Sequence, residues 1–302
     1  MSKKMKLWLL IATSAVVVGS IIFGVVMSML GWDFSKLSTV KYETNNYEIR
    51  ESFENIRIDT DTADVVFLPS EDGRTRVVCK ELEKVKHTVK VEEDTLVISV
   101  VDTRRWFDYI GIYFGRTRIT VYIPEKEYSS IFVKTGTGDV NCVMSASGLI
   151  KIRTSTGQIS VENLSAGALE LAVSTGDVSV TDVTCKGDVK IDVSTGKAVV
   201  SGVRCKNLIS DGNTGDVILN DVVATGKFDI ERSTGDVIFD RCDAMQIEIE
   251  TDTGNVKGSL LSDKIFIVET DTGRVNVPKT TAGGRCEIST DTGDIRIEIV
   301  NP

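Results

Sequence analysis

Two hydrophobic patterns divide the chain. Residues 7–30 form an uncharged apolar run, and alternating apolar and polar positions follow through most of the remainder. The run holds 24 residues, which is long enough for a helix that crosses a bilayer, since such a helix needs about 20 residues. Alternation with a period of two is typical of β-strands that bury one face. The sequence therefore predicts one transmembrane helix followed by an all-β region.

The charges beside the apolar run predict its orientation. Lys3, Lys4 and Lys6 precede the run and Asp33 follows it, which places the N-terminus in the cytoplasm and the rest of the chain outside. A cleaved signal peptide is the alternative. Its apolar region is about 7–15 residues long and ends in small residues, whereas this run is longer and ends Met-Ser-Met-Leu-Gly-Trp. We expect an uncleaved, single-pass anchor in the cell membrane.

A short repeat organises the β region. A Thr-Gly pair, followed by a polar or charged residue and then a small apolar one, occurs nine times at intervals of 19 or 20 residues. Spacing this regular indicates a repeat architecture. The repeated glycines are Gly138, Gly157, Gly176, Gly196, Gly215, Gly235, Gly254, Gly273 and Gly293.

The positions around each glycine predict the fold. Apolar residues lie seven and five places before the glycine and two and four places after it, with breaks at Ser210 and Gly258. Two short strands that meet at a corner cannot bury their apolar face alone, so the units must stack around one core. We predict a parallel β-solenoid, or β-helix, of 19–20-residue coils. Glycine suits each corner because it tolerates positive φ and close backbone approach.

The predicted layout has five parts. Residues 49–124 contain a degenerate copy of the repeat at 59–66 and four strand-like runs, which indicates a first coil and a strand-rich N-terminal cap. The C-terminal end, at 295–300, has no comparable cover, so we expect that self-association could occur there. The parts are a cytoplasmic tail (1–6), an anchor helix (7–30), a linker (31–48), the first coil and cap (49–124) and the solenoid repeats (125–302).

The net negative charge of the repeat region limits the classes of molecule that it could bind. Residues 125–302 contain 18 Lys and Arg against 27 Asp and Glu. An acidic rod does not favour nucleic acid. The remaining candidates are cell-wall polymer, an envelope protein or cations.

Acidic residues beside the corners are the candidate cation site. Asp252, Asp271 and Asp291 lie two places before their glycines, and a second set of aspartates directly follows the glycines: Asp139, Asp177, Asp216, Asp236 and Asp294. Stacked carboxylates could bind calcium, which takes oxygen ligands. The alternative is that they are solvated turn residues. No other cofactor is expected.

The six cysteines fall at or near apolar positions, where they act as small hydrophobic residues. Cys185 and Cys205 each lie nine places after a repeated glycine. Stacked coils would place them within disulfide-bonding distance. A disulfide between these two residues is therefore possible.

An aromatic segment within the cap region is a candidate interface. Its aromatic residues either bury themselves over the end of the solenoid or dock on a membrane or partner, since aromatic rings flanked by arginines suit an interface. These residues are Trp106, Phe107, Tyr109, Tyr113 and Phe114.

Catalytic chemistry has little support in the sequence. His87 is the single histidine and lies in an alternating run that predicts a strand, so a nucleophile activated by histidine is not expected. Asp, Lys and Arg, which polysaccharide-cleaving β-helix enzymes use, are spread over every unit without an insertion that would build a cleft. We predict no enzyme activity and no catalytic residues.

The repeated Thr-Gly motif, after a membrane helix and a strand-rich segment that ends Ile-Thr-Val-Tyr-Ile-Pro, resembles a known family. It is the putative-adhesin, β-strand-repeat family of bacterial envelope proteins, a DUF4097-like domain of unknown function, and the resemblance covers roughly residues 49–302. The resemblance implies a β-helix-like solenoid and, from some relatives, a link to envelope stress responses. The expected function is a non-enzymatic adhesion or scaffold module. A sensory or regulatory ectodomain and a polysaccharide-acting enzyme are the alternatives.

Overall fold

The computed structural model describes residues 2–37, 40–109 and 115–300. It begins with helix α1 (Lys3–Met29), whose N-cap Ser2 accepts a hydrogen bond from the backbone N–H of Met5. The helix is long and apolar enough to cross a membrane, and its most apolar 18-residue window is not buried against the rest of the chain. Two 3₁₀ turns, Phe34–Leu37 and Trp106–Tyr109, complete the helical segments.

The rest of the described chain is built from strands, as the alternation predicts. All of them belong to one hydrogen-bonded sheet system. The strands are β1 (Tyr42–Ile49), β2 (Asn55–Asp59), β3 (Asp64–Pro69), β4 (Thr75–Leu82), β5 (Val85–Glu92), β6 (Thr95–Asp102), β7 (Arg118–Ile123), β8 (Ser130–Thr137), β9 (Val140–Cys142), β10 (Ala146–Thr156), β11 (Ile159–Thr175), β12 (Val178–Cys185), β13 (Val189–Thr195), β14 (Ala198–Ser201), β15 (Arg204–Cys205), β16 (Leu208–Thr214), β17 (Val217–Asn220), β18 (Val223–Thr234), β19 (Val237–Thr253), β20 (Val256–Leu260), β21 (Lys264–Thr272), β22 (Val275–Asn276), β23 (Gly284–Thr292) and β24 (Ile295–Ile299).

Parallel pairing in constant register makes these strands a solenoid. In one ladder, Ile152 pairs with Leu171 and Leu171 pairs with Ile191, so equivalent residues of successive repeats lie side by side. The threonines before the corner glycines stack in the same way. The repeat length therefore equals one coil, and the predicted all-β solenoid is confirmed.

The core is a set of apolar columns along the stack. Inward residues such as Ile152, Leu171 and Ile191 are almost completely buried and belong to one continuous cluster that extends from Phe53 to Ile297. Burial of a Val, Leu or Ile side chain contributes about 1.5–3 kcal/mol. The few inward side chains of each coil are buried against those of the adjacent coils, so the stability of a coil depends on its neighbours.

The two breaks in the apolar pattern are filled by neighbouring coils. Arg232 is buried, and its Nη2 donates to the Ser210 hydroxyl at 2.9 Å. The Phe239 ring lies beside Gly258, where a Cβ would come within 2.2 Å of the ring. A polar or empty inward position is thus compensated by a longer side chain from an adjacent coil.

The corner glycines are required by close backbone contact. A Cβ on Gly215 would lie 2.0 Å from the carbonyl oxygen of Gly196, and Gly215 has a φ of +127°. The other eight repeated glycines have the same obstruction, each within 2.2 Å of a backbone oxygen. Only six of the nine have positive φ in this region, so close approach is the more general reason for glycine.

At the N-terminal end, the order of coils differs from their order in the chain. β2 lies between β6 and β8, and β3 lies between β7 and β9. The degenerate repeat therefore forms a coil but not the first one in the stack, because the later strands β6 and β7 form the coil outside it. Antiparallel strands cover that outer coil, because β5 pairs with β6, and β4 pairs with both β7 and β1. β1 lies partly within the range predicted as a linker.

A similar exchange occurs at the C-terminal end. β23 lies between β19 and β21, and β24 lies between β20 and β22. The expectation that 295–300 is the uncovered end is therefore wrong. The connection between β22 and β23 contains Pro278 and Gly283, the latter at φ +105°, and it lets the chain turn back. β23 and β24 then bury their inward residues on both sides, which leaves β21 and β22 at the end of the stack.

Candidate functional site

The aspartates that follow the corner glycines have a structural role. The side chain of Asp139 accepts the backbone N–H of Gln158 at 2.9 Å, and Asp236 accepts that of Asn255 at 2.8 Å. Asp177, Asp216 and Asp294 make the equivalent bond to a neighbouring coil. These carboxylates are occupied by bonds between coils, which explains their regular placement.

The predicted calcium ligands lie at the same corner but point to solvent. Asp252, Asp291 and Asp271 are exposed, and the strand exchange places them in that order along the stack. Within the described residues they form no group of three with ligand atoms inside 4.8 Å of one another. Calcium binding by these residues stays a prediction.

The two cysteines of the predicted disulfide lie next to each other in the stack. Thr184 pairs with Arg204, so Cys185 and Cys205 occupy the following positions of adjacent coils. Both thiols are buried and free. Burial raises the pKa of Cys205 to about 12, with a further contribution from Cys185. The disulfide stays a prediction.

The aromatic segment is only partly described. The Trp106 side chain is 78% exposed in the turn Trp106–Tyr109. The backbone of Phe107 and Tyr109 belongs to the same turn, while Tyr113 and Phe114 lie outside the described residues. The proposed role of this segment as an interface stays a prediction.

The cap contains a buried polar cluster that was not predicted from the sequence. His87 on β5 is 3% exposed and Glu81 on β4 is fully buried. The Oε2 atom of Glu81 accepts two hydrogen bonds from His87, one from the backbone N–H at 2.6 Å and one from Nδ1 at 2.7 Å. Its Oε1 atom accepts from Asn45 Nδ2 at 2.6 Å.

The same cluster joins the cap to the solenoid. The Nε2 atom of His87 lies 2.8 Å from the hydroxyl of Thr60, which follows β2. Tyr47 on β1 donates its hydroxyl to the backbone carbonyl of His87 at 3.0 Å. Strands β1, β4 and β5 are thus linked through His87 to the degenerate first repeat. We call Asn45, Thr60, Cys79, Glu81 and His87 the cap cluster.

Cys79 completes the cap cluster. It lies two residues before Glu81 on β4, so both side chains point inward, and it is fully buried. Burial raises the pKa of the Cys79 thiol to about 12, and the nearby Glu81 charge adds to the effect. Among the described residues, Cys79, Glu81 and His87 are the one group of three His, Cys, Asp or Glu side chains with ligand atoms within 4.8 Å of one another.

A groove of about 470 Å³ adjoins the cap cluster. His87 lines it together with Leu82 and Val85 from the cap and Thr62 and Ala63 from the first repeat. Thr60, His87 and Glu81 are hydrogen-bonded in the order of a catalytic triad, in which a hydroxyl nucleophile contacts a histidine base and the histidine contacts a carboxylate. Thr60, however, is 4% exposed and is not among the residues that line the groove, so a substrate in the groove would not reach its hydroxyl.

The second candidate surface is the last coil of the stack. Ile265 and Ile267 point outward from β21 and are 44% and 51% exposed. The inward residues Phe266 and Val268 are only partly buried, and Val275 on β22 is 45% exposed. Within the described chain no strand pairs with the outer edges of β21 and β22. We call β21 and β22 the open edge.

Family comparison agrees with this architecture. The family described as Toastrack DUF4097 matches residues 53–208 and 184–302. The chain belongs to this family. The two matched ranges together cover every repeat and most of the cap, including the whole cap cluster except Asn45. Comparison with curated proteins gives no match.

Solved structures similar to this Toastrack chain include three proteins described as putative adhesins. A protein from Bacteroides fragilis described as a "putative adhesin" is 15% identical with a TM-score of 0.42, and the match covers 85% of this chain and 97% of that one. A similarly described protein from Parabacteroides distasonis is 12% identical with a TM-score of 0.46, over 86% and 98% of the two chains. One from Parabacteroides merdae is 13% identical with a TM-score of 0.41, over 85% and 96%.

Proposed function

We propose that this chain is a non-enzymatic adhesion or scaffold module of the bacterial cell envelope. Helix α1 anchors it in the cell membrane with the N-terminus in the cytoplasm, and the solenoid lies on the extracytoplasmic side. One observation carries the proposal: the same chain contains an exposed, apolar helix of 27 residues and a solenoid with one continuous core. A stack with one core is rigid along its axis, which suits a part that presents a surface at a distance from its anchor.

The polar groups at the corners also favour a scaffold over an enzyme. The aspartates after the corner glycines accept backbone N–H groups of neighbouring coils, so they are committed to structure. The one arrangement that resembles a catalytic triad among the described residues, Thr60 with His87 and Glu81, is buried in the cap. A general base needs access to the proton that it abstracts, and a buried threonine does not provide it.

The function can be tested with the full chain in lipid nanodiscs. We expect it to bind purified cell-wall polymer, or an envelope protein that can be cross-linked to it, without converting either one. The measurement is a co-sedimentation assay paired with a screen for glycan degradation. Glycan turnover that disappears when a single Asp or Lys is changed would show that the chain is an enzyme.

The open edge supports self-association as part of the scaffold role. An uncovered strand offers unpaired N–H and C=O groups to another strand. If β21 of two copies pairs in an antiparallel manner about Ile267, each copy's Phe266 lies opposite the other's Val268, and the two partly buried cores become continuous. The occupant that we propose is therefore a second copy of this chain.

Charged residues on the open edge should prevent this pairing. We expect the full chain in detergent micelles to form dimers as its concentration rises, and the double variant Ile265→Lys/Ile267→Lys to stay monomeric, because lysine on an exposed edge opposes strand addition. Sedimentation velocity measures the difference. Met245→Lys is the matched control, since Met245 is 66% exposed but lies on β19, which is paired on both sides. Equal dimerisation by the wild type and the double variant would contradict the proposal.

A further inference from the structure

Three side chains in the cap cluster have the chemistry of metal ligands. Cys79 and Glu81 alternate inward from β4, and His87 faces them from β5. Their exposures are 0%, 0% and 3%, and one ligand atom from each lies within 4.8 Å of the others. Sulfur, imidazole nitrogen and carboxylate oxygen together are a donor set typical of zinc.

We propose that Cys79, Glu81 and His87 bind one Zn²⁺ ion between the cap and the first repeat. The bound site is electrically neutral, because the thiolate and the carboxylate balance the two charges of the ion and the imidazole is neutral. Neutrality matters at this depth, since a buried charge without a partner is very costly. This site is independent of the adhesion or scaffold function proposed above.

The partners of the ligands are already in place. A zinc-bound histidine usually donates its other ring N–H to an oxygen, and Nε2 of His87 lies 2.8 Å from the Thr60 hydroxyl. Ligating carboxylates are likewise held by hydrogen bonds, and Asn45 donates to the second oxygen of Glu81 at 2.6 Å. Nδ1 of His87, Oε2 of Glu81 and the Cys79 sulfur are therefore the atoms left to face the ion.

The geometry requires a small expansion. Nδ1 donates a hydrogen bond to Oε2 across 2.7 Å. Two ligands about 2.0–2.1 Å from a tetrahedral zinc ion are separated by about 3.3 Å, so the ion fits between Nδ1 and Oε2 if the two strands separate by about half an ångström. Binding moves the imidazole proton from Nδ1 to Nε2 and releases the Cys79 thiol proton to water, so one proton is released for each zinc ion bound. The groove that His87 lines provides an entry path, and water from it can take the fourth position.

Cysteine and histidine variants test the site. The full chain in detergent, freed of metal with a chelator, is titrated with Co²⁺ as a spectroscopic substitute and separately with Zn²⁺. We expect about one ion per chain and a sulfur-to-cobalt charge-transfer band. The variant Cys79→Ala should lose the charge-transfer band and at least tenfold in affinity, and His87→Gln should lose at least tenfold in affinity. Cys142→Ala is the matched control, because Cys142 is an equally buried cysteine whose thiol is directed to the backbone carbonyl of Met144.

Two outcomes would overturn the proposal. One is the absence of any thiolate-to-cobalt band in the wild-type chain, which needs no variant and so does not depend on how Cys79→Ala folds. The other is equal metal affinity in Cys79→Ala and Cys142→Ala. Either result would leave the cap cluster as a hydrogen-bonded network alone, and neither would bear on the binding and glycan assays that test the scaffold function.

Discussion

Gly215→Ala is expected to lower the free energy of unfolding by about 3 kcal/mol or more. The added methyl group would lie 2.0 Å from the carbonyl oxygen of Gly196, which is part of the neighbouring coil's backbone and cannot rotate away. The φ of +127° is also unfavourable for alanine, and a residue held in such a region costs about 1–3 kcal/mol. Because Gly215 lies in the middle of the stack, the strain falls on coils on both sides. Chemical denaturation followed by circular dichroism measures the change.

Gly73→Ala separates the two causes of this effect. Gly73 also has positive φ, at +69°, but an added Cβ there would meet nothing within 4 Å. The expected loss is about 1–2 kcal/mol, the ordinary cost of a left-handed conformation for an L-residue. If both variants lost the same amount, close packing of corner backbones would not be the reason for the repeated glycine.

The regular part of the fold could be predicted because one rule repeats. Each coil buries the residues at fixed distances from its glycine, and constant register follows from constant spacing. The two exceptions to this rule could be explained only from the three-dimensional structure. Ser210 and Gly258 looked like defects in a single repeat, but Arg232 and Phe239 fill them from other coils. This compensation cannot be predicted from one repeat, because the compensating side chain belongs to another coil.

The ends of the stack were harder to predict for a different reason. In the middle, the best neighbour of a coil is the next one in the chain. At the ends, a connection of several residues is long enough for a strand to pair with a coil that is not its neighbour in sequence. The order of the coils there depends on which strand pairing is more stable. β23 is placed inside β21, and β2 inside β6. Sequence order alone contains no such information.

The cap cluster was missed although part of its signal was available. In β4 the inward residues are Thr75, Val77, Cys79 and Glu81, and the alternation that predicts the strand also predicts that Glu81 points inward. A buried carboxylate requires donors, and the single histidine was the obvious candidate. What the sequence could not provide was the antiparallel return of β4 and β5, which brings the two side chains together.

Glu81→Ala is expected to destabilise the cap by about 3 kcal/mol in metal-free buffer. The change leaves the Nδ1–H and backbone N–H of His87 and the amide of Asn45 without their acceptor. Each buried polar group that loses its partner costs about 1–3 kcal/mol, and small rearrangements recover part of that sum. The loss should be local, because the cluster links β1, β4 and β5 to the first repeat. Hydrogen exchange should therefore accelerate in these strands and stay slow in the central strand β13.

Glu83→Ala provides the control, since Glu83 is exposed at the adjoining turn and surface changes usually fall within about 0.5 kcal/mol. Glu81→Gln should lie between the two, because the amide keeps one acceptor oxygen but brings two N–H donors toward His87. The order of the three variants is what distinguishes a satisfied network from simple packing: a packing role would make Gln, which fills the same volume, equivalent to the wild type. Equal exchange rates in the cap for Glu81→Ala and Glu83→Ala would mean that this cluster does not hold the cap in place.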